Sequence, residues 1–94
     1  MDIPKAERDF VSFGFFRIYP NPASDQVILN LTLPYGRKGV WSLYTALGEL
    51  VISEPLFPNQ ERYIVGLEEV ESGLYFYKIE VEGANITSGK LVVE

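Results

Sequence analysis

Ser72 to Val81, SGLYFYKIEV, is the stretch that organises this chain. A Ser72-Gly73 turn opens into aromatic and β-branched residues, the composition that suits a pleated, half-buried surface. Side chains alternate along a strand, so Leu74, Phe76, Lys78 and Glu80 share one side while Tyr75, Tyr77, Ile79 and Val81 share the other. The second set reads as the core face. The first is apolar at its start and charged at its end, which predicts cover near Phe76 and solvent near Glu80. Glu82-Gly83-Ala84-Asn85 supplies a turn, and Ile86 to Val93 returns beside the first stretch as a hairpin. SGLYFYKIEV is expected to be a central strand.

Working outward, Gln26 to Leu33 alternates cleanly, with Val27, Leu29, Leu31 and Leu33 on one face. Val40 to Tyr44 sets Trp41 and Leu43 against Val40, Ser42 and Tyr44. A five-residue loop, Thr45 to Glu49, connects it to a pairing strand, Leu50 to Ser53. Pro55, Pro58, Asn59 and Gln60 are expected to break the chain before Arg62 to Val65, where Tyr63 and Val65 face together. In the connection that follows, Leu67 and Val70 read as inward pegs and Glu68, Glu69 and Glu71 as solvated. Phe15 to Tyr19 is expected to be an edge strand, followed by a rigid loop, Pro20 to Asp25, in which two prolines fix φ. Met1 to Asp9 is charged and aperiodic, and reads as a mobile linker. Short strands separated by frequent turn signals, without an amphipathic helix, predict one all-β antiparallel sandwich of about seven strands.

The composition narrows the function. The 47% hydrophobic content of these 94 residues argues for a folded domain rather than disorder. A net charge of −5 with scattered lysines and arginines lacks the footprint needed to neutralise phosphates, so nucleic acid is ruled out as the main partner. Cysteine and histidine are both absent, which removes disulfides, thiolate nucleophiles and the common metal-ligand sets. No apolar run approaches the ~18 residues of a membrane span, and the charged N-terminus does not read as a signal peptide. Any export signal of that kind is expected elsewhere.

Several groupings invite chemistry and have plainer uses. Glu68, Glu69 and Glu71 are neighbours in a turn, and nothing suggests an apolar pocket that would raise one of them for acid catalysis. Asn21, Ser24 and Asp25 offer too few carboxylates for calcium and read as turn-formers. Asn30-Leu31-Thr32 and Asn85-Ile86-Thr87 match the glycosylation sequon, a weak pattern, and the first lies mid-strand. Trp41 with Tyr19, Tyr35, Tyr44, Tyr63, Tyr75 and Tyr77 could build a sugar-stacking platform, though such residues more often serve as core. The last strand, Lys90 to Glu94, offers an edge for pairing with another chain, and the same edge would permit weak dimerisation.

Four blocks together resemble a known family: Ile18-Tyr19-Pro20-Asn21-Pro22-Ala23; Leu43-Tyr44 with Leu47-Gly48-Glu49-Leu50-Val51; Gly73-Leu74-Tyr75; and Lys90-Leu91-Val92-Val93. In this order they look like the type A C-terminal sorting domain of the Bacteroidetes type IX secretion system. The likeness covers residues 18 to 94. Thr45 departs from it, standing where the family often has aspartate or asparagine, and so does the final Glu94. The resemblance implies an immunoglobulin-like sandwich fused behind a larger secreted cargo, with no catalytic role and no cofactor. It implies a signal that takes the cargo from the periplasm through the outer-membrane translocon and its shuttle components to the surface or medium. A sortase-like cysteine peptidase would then remove the signal, with cargo release or attachment to lipopolysaccharide. Residues 1–14 would contain or follow the cut, and 15–94 would form the sorting domain. Tyr19, Pro20, Asn21, Pro22, Gly48, Gly73 and Tyr75 would be structural, while Lys90, Leu91, Val92, Val93 and Glu94 would carry recognition. The competing readings are a glycan-binding or adhesive module and a structural spacer.

Overall fold

A computed structural model describes residues 15–33, 36–82 and 84–94. The strands are β1 (Phe15–Tyr19), β2 (Gln26–Thr32), β3 (Gly39–Thr45), β4 (Leu50–Leu56), β5 (Arg62–Gly66), β6 (Gly73–Val81) and β7 (Ala84–Val93). They form two antiparallel sheets, β1-β2-β5 and β4-β3-β6-β7, the layers of an immunoglobulin-like sandwich. SGLYFYKIEV is central as expected, lying between β3 and β7. The expected linker at residues 1–14 lies outside the described residues.

The core follows the alternation. Val27, Leu29 and Leu31 of β2 face Trp41 and Leu43 of β3 and Ile79 of β6 across the sandwich interior, all fully buried. Each such side chain removed from water contributes about 1.5–3 kcal/mol of transfer free energy. Tyr63 and Val65 are buried together, and Leu67 and Val70 reach inward as pegs while Glu68, Glu69 and Glu71 stay exposed. Tyr75 anchors the start of β6: its hydroxyl donates to the Glu71 carbonyl at 2.6 Å. This is the tyrosine corner of sandwich folds, which ties a strand to the loop that feeds it.

The structure corrects three expectations. Pro55 does not end β4, which continues through it to Leu56. The strand is at a sheet edge, where a residue without an N–H costs no ladder bond, and the extension brings Leu56 into the core. β7 starts at Ala84, paired with Val81, two residues earlier than expected. The outer face of β6 is reversed from the expected order: Leu74 and Phe76 are exposed, while Glu80 is half-buried. Glu80 lies between Val40 and Asn85 on the neighbouring strands and pairs with Lys78 at 3.3 Å. Near Phe76 the face instead opens into a groove.

Candidate functional site

The four sequence blocks converge on one end of the sandwich. Thr45 of β3 is opposite Tyr75 of β6, which is opposite Leu91 of β7, and Gly73 pairs with Val93 in the same ladder. The hairpin Ala46 to Glu49 follows Thr45 directly, so Gly48 belongs to this end too. The loop after β1 completes the cluster, because Ala23 forms a parallel bridge to Val93.

That bridge comes with a side-chain clamp. Asn21 donates from Nδ2 to the Lys90 carbonyl at 2.9 Å, and its Oδ1 accepts the Val92 N–H at 3.1 Å. Ala23 extends the pattern: its N–H donates to the Val92 carbonyl at 2.8 Å, and its carbonyl accepts the Glu94 N–H at 2.7 Å. Asn21 can do this because a side-chain amide, like a peptide unit, has one donor side and one acceptor side. The peptide bonds to the flanking Pro20 and Pro22 are both cis, and the Tyr19 hydroxyl at the end of β1 accepts from Asn30 Nδ2 at 2.8 Å. The expectation of an open edge therefore fails over Lys90 to Glu94. Four of the backbone groups that another strand would need, the Lys90 carbonyl, both Val92 groups and the Glu94 N–H, are taken up by the chain's own loop.

Thr45 shows why departure from the family pattern leaves the hairpin intact. Its hydroxyl oxygen accepts from Leu47 N–H at 3.2 Å and Glu49 N–H at 3.1 Å, the capping role a short Asp or Asn side chain also performs. Gly48 closes the loop at φ +92°, a conformation that strains any residue with a Cβ.

The outer face of the four-stranded sheet carries a groove of about 560 Å³ beside this end. Its central row is Tyr44, Phe76 and Lys90, successive cross-strand partners on β3, β6 and β7. Lys78 lies next to the row with Nζ 5.3 Å from the Tyr44 ring centre. Hydrogen bonding to Glu80, then the charges of Glu80 and Tyr44, hold the Lys78 ammonium above its ordinary pKa. On the core side, Tyr77 is packed between Phe16 and Trp41, and burial raises its hydroxyl pKa.

The terminal residues divide by face. Leu91 and Val93 are buried, whereas Lys90, Val92 and Glu94 are exposed. Trp41, Tyr63 and Tyr75 are core and contribute nothing to a sugar-stacking platform. Asn30, the first sequon asparagine, is half-buried and bonded to Tyr19. Sequence reasoning missed Phe76 as a surface-site residue, expecting it to be covered, and named Tyr44 only as part of a sugar-stacking platform; the cross-strand row Tyr44-Phe76-Lys90 emerges from the sheet register.

The comparisons agree with this geometry. A family model described as the secretion system C-terminal sorting domain matches residues 17–94. The fold resembles that in the crystal structure of dimeric latent PorU from Porphyromonas gingivalis, with a TM-score of 0.71 and 18% identity over 83% of this chain. The chain spans 9% of that protein's length. No curated protein matches in sequence. With residues 17–94 matched and all four blocks brought together in a sandwich, this chain belongs to the family of C-terminal sorting domains that serve as signals for type IX secretion.

Proposed function

We propose that the chain directs a larger cargo, fused ahead of it, through the type IX outer-membrane translocon with its shuttle components. A sortase-like cysteine peptidase then removes the domain, and the cargo is released or attached to surface lipopolysaccharide. The domain performs no chemistry of its own and passes through the periplasm on the way to the cell surface. In this reading residues 1–14 contain or follow the cut, and 15–94 are the signal. The segment Lys90 to Glu94 carries recognition through its exposed side chains, Lys90, Val92 and Glu94, with Leu91 and Val93 anchoring it in the core, while Tyr19, Pro20, Asn21, Pro22, Gly48, Gly73 and Tyr75 hold the end of the sandwich in shape. The observation that carries the reading is the family match over residues 17–94. The clamp between Asn21 and the last strand supports the division of roles.

The test is a fluorescent reporter with a signal peptide ahead of it and the full chain behind it, expressed in a Bacteroidetes host with a working type IX system. Reporter at the surface or in the medium, shortened by the mass of this domain and absent from a translocon-deficient strain, is the expected result. Reporter held in the periplasm of both strains overturns it.

A further inference from the structure

Resting on that reading, we infer that the secretion machinery recognises the exposed side chains of the Tyr44-Phe76-Lys90 groove and its Leu74-Val92 border, not the edge of the last strand. The occupant is an apolar side chain flanked by a carboxylate on the acceptor surface.

Two observations argue against the edge over Lys90 to Glu94. The Lys90 carbonyl, the Val92 N–H and carbonyl and the Glu94 N–H are bonded to Asn21 and Ala23, so strand addition there would break four hydrogen bonds before forming any. Leu91 and Val93 point into the core and offer nothing to a partner. What this segment presents outward is the pair Lys90 and Val92. Each lies opposite an exposed apolar residue of β6: Lys90 opposite Phe76, and Val92 opposite Leu74. Leu74, Phe76 and Val92 are 45%, 37% and 40% exposed, so one sheet face holds three large apolar side chains that no layer covers. Clustered exposure of this kind marks an interaction surface.

Charge selects the occupant. The chain as a whole carries −5, which disfavours acidic partners elsewhere, yet this groove is lined by Lys78 and Lys90. Lys78 is engaged with Glu80. Among the described residues Lys90 forms no ion pair, which leaves its ammonium to an incoming carboxylate beside the Phe76 ring. The clamp then has a clear use. By fixing the last strand against the loop it fixes the angle at which Lys90 and Val92 meet the β6 row, so the surface is formed before the partner arrives.

A covalent lock separates side-chain readout from strand readout. Ala23 and Val93 are bridge partners, and the chain contains no cysteine to compete, so Ala23→Cys with Val93→Cys ties loop to strand. In the reporter assay the oxidised double variant is expected to export like the unsubstituted chain, while Phe76→Ser and Lys90→Glu each reduce export at least tenfold. Lys90→Gln, which keeps the bulk without the charge, should fall with Lys90→Glu. Unchanged denaturation midpoints for the purified groove variants confirm that they remain folded. The inference is overturned if the lock abolishes export while each single-cysteine variant exports normally, or if folded Phe76→Ser and Lys90→Glu both export fully. A concentration-dependent dimer that Phe76→Ser dissociates also overturns it, assigning the groove to a second copy. Failure of the unsubstituted chain to export defeats the underlying functional reading instead.

Discussion

Asn21 is bonded to Val92 and Lys90 as if it were a strand residue: its side-chain amide accepts from one and donates to the other, across 71 and 69 positions of sequence. The loop after β1 and the last strand are therefore one structural unit. A change in either should be felt in the other.

Asn21→Ala leaves the Val92 N–H and Lys90 carbonyl to water at an exposed site, so the cost is about 1 kcal/mol. Hydrogen exchange at Val92 should accelerate well beyond that of Leu91. Asn21→Asp retains the acceptor but sets a carboxylate oxygen against the Lys90 carbonyl, so at neutral pH it should be no more stable than Asn21→Ala. Urea titration with amide exchange checks both; unaltered Val92 protection in Asn21→Ala would count against the clamp.

Removal of the Tyr75 hydroxyl strands the Glu71 carbonyl at the tyrosine corner. Tyr75→Phe is expected to lower stability by about 1–2 kcal/mol with the denaturant slope unchanged. Chemical denaturation followed by the single tryptophan, fully buried Trp41, reports it.

At the β3-β4 hairpin, Thr45→Ala removes an acceptor used by two backbone N–H groups and should cost about 1 kcal/mol. Thr45→Asp should restore the loss, because a short carboxylate can accept the same bonds. Gly48→Ala is expected to cost about 1–2 kcal/mol from its left-handed backbone alone, since no atom crowds the added methyl. Thermal melts of the three variants distinguish cap from conformation.

Gly89 is opposite Tyr77 in the ladder, and a Cβ there would come within 2.5 Å of the Tyr77 hydroxyl. Gly89→Val should displace that ring and weaken the Phe16-Tyr77-Trp41 cluster. A shift in Trp41 emission accompanied by a lower denaturation midpoint is the expected outcome; an unchanged spectrum would show that the ring accommodates the side chain.

Burial raises the Tyr77 pKa above the ordinary 10.0, so the folded state holds this proton at a pH where the unfolded chain releases it. The sign of the linkage is that stability from Tyr77 is fully present below pH 10.0 and falls as pH rises from there through the raised folded value. Tyr77→Phe should therefore show a shallower alkaline loss than the unsubstituted chain when midpoints are compared from pH 9 to 11.5. Parallel slopes would show that Tyr77 ionises alike in both states.

Alternation carried most of the architecture in the amino-acid order. Val27-Leu29-Leu31 and Tyr75-Ile79-Val81 could be assigned to a buried face from a two-residue period, and turn residues separated the strands apart from the end of β4 and the start of β7. The four blocks likewise identified the family, because their residue types and order are properties of a linear string. Tertiary structure was needed wherever the outcome depended on what lies beside a strand. Periodicity says that Phe76 and Leu74 share a face, not that no layer covers it. It says that Pro55 lacks an N–H, not that β4 is an edge where the lack is harmless. It shows Lys90 to Glu94 as a strand, but its outward hydrogen bonds go to Asn21 and Ala23, partners chosen by the path of the loop through space. Local sequence sets side-chain direction and backbone conformation, whereas cover and hydrogen-bond satisfaction depend on neighbours that only the folded chain brings together.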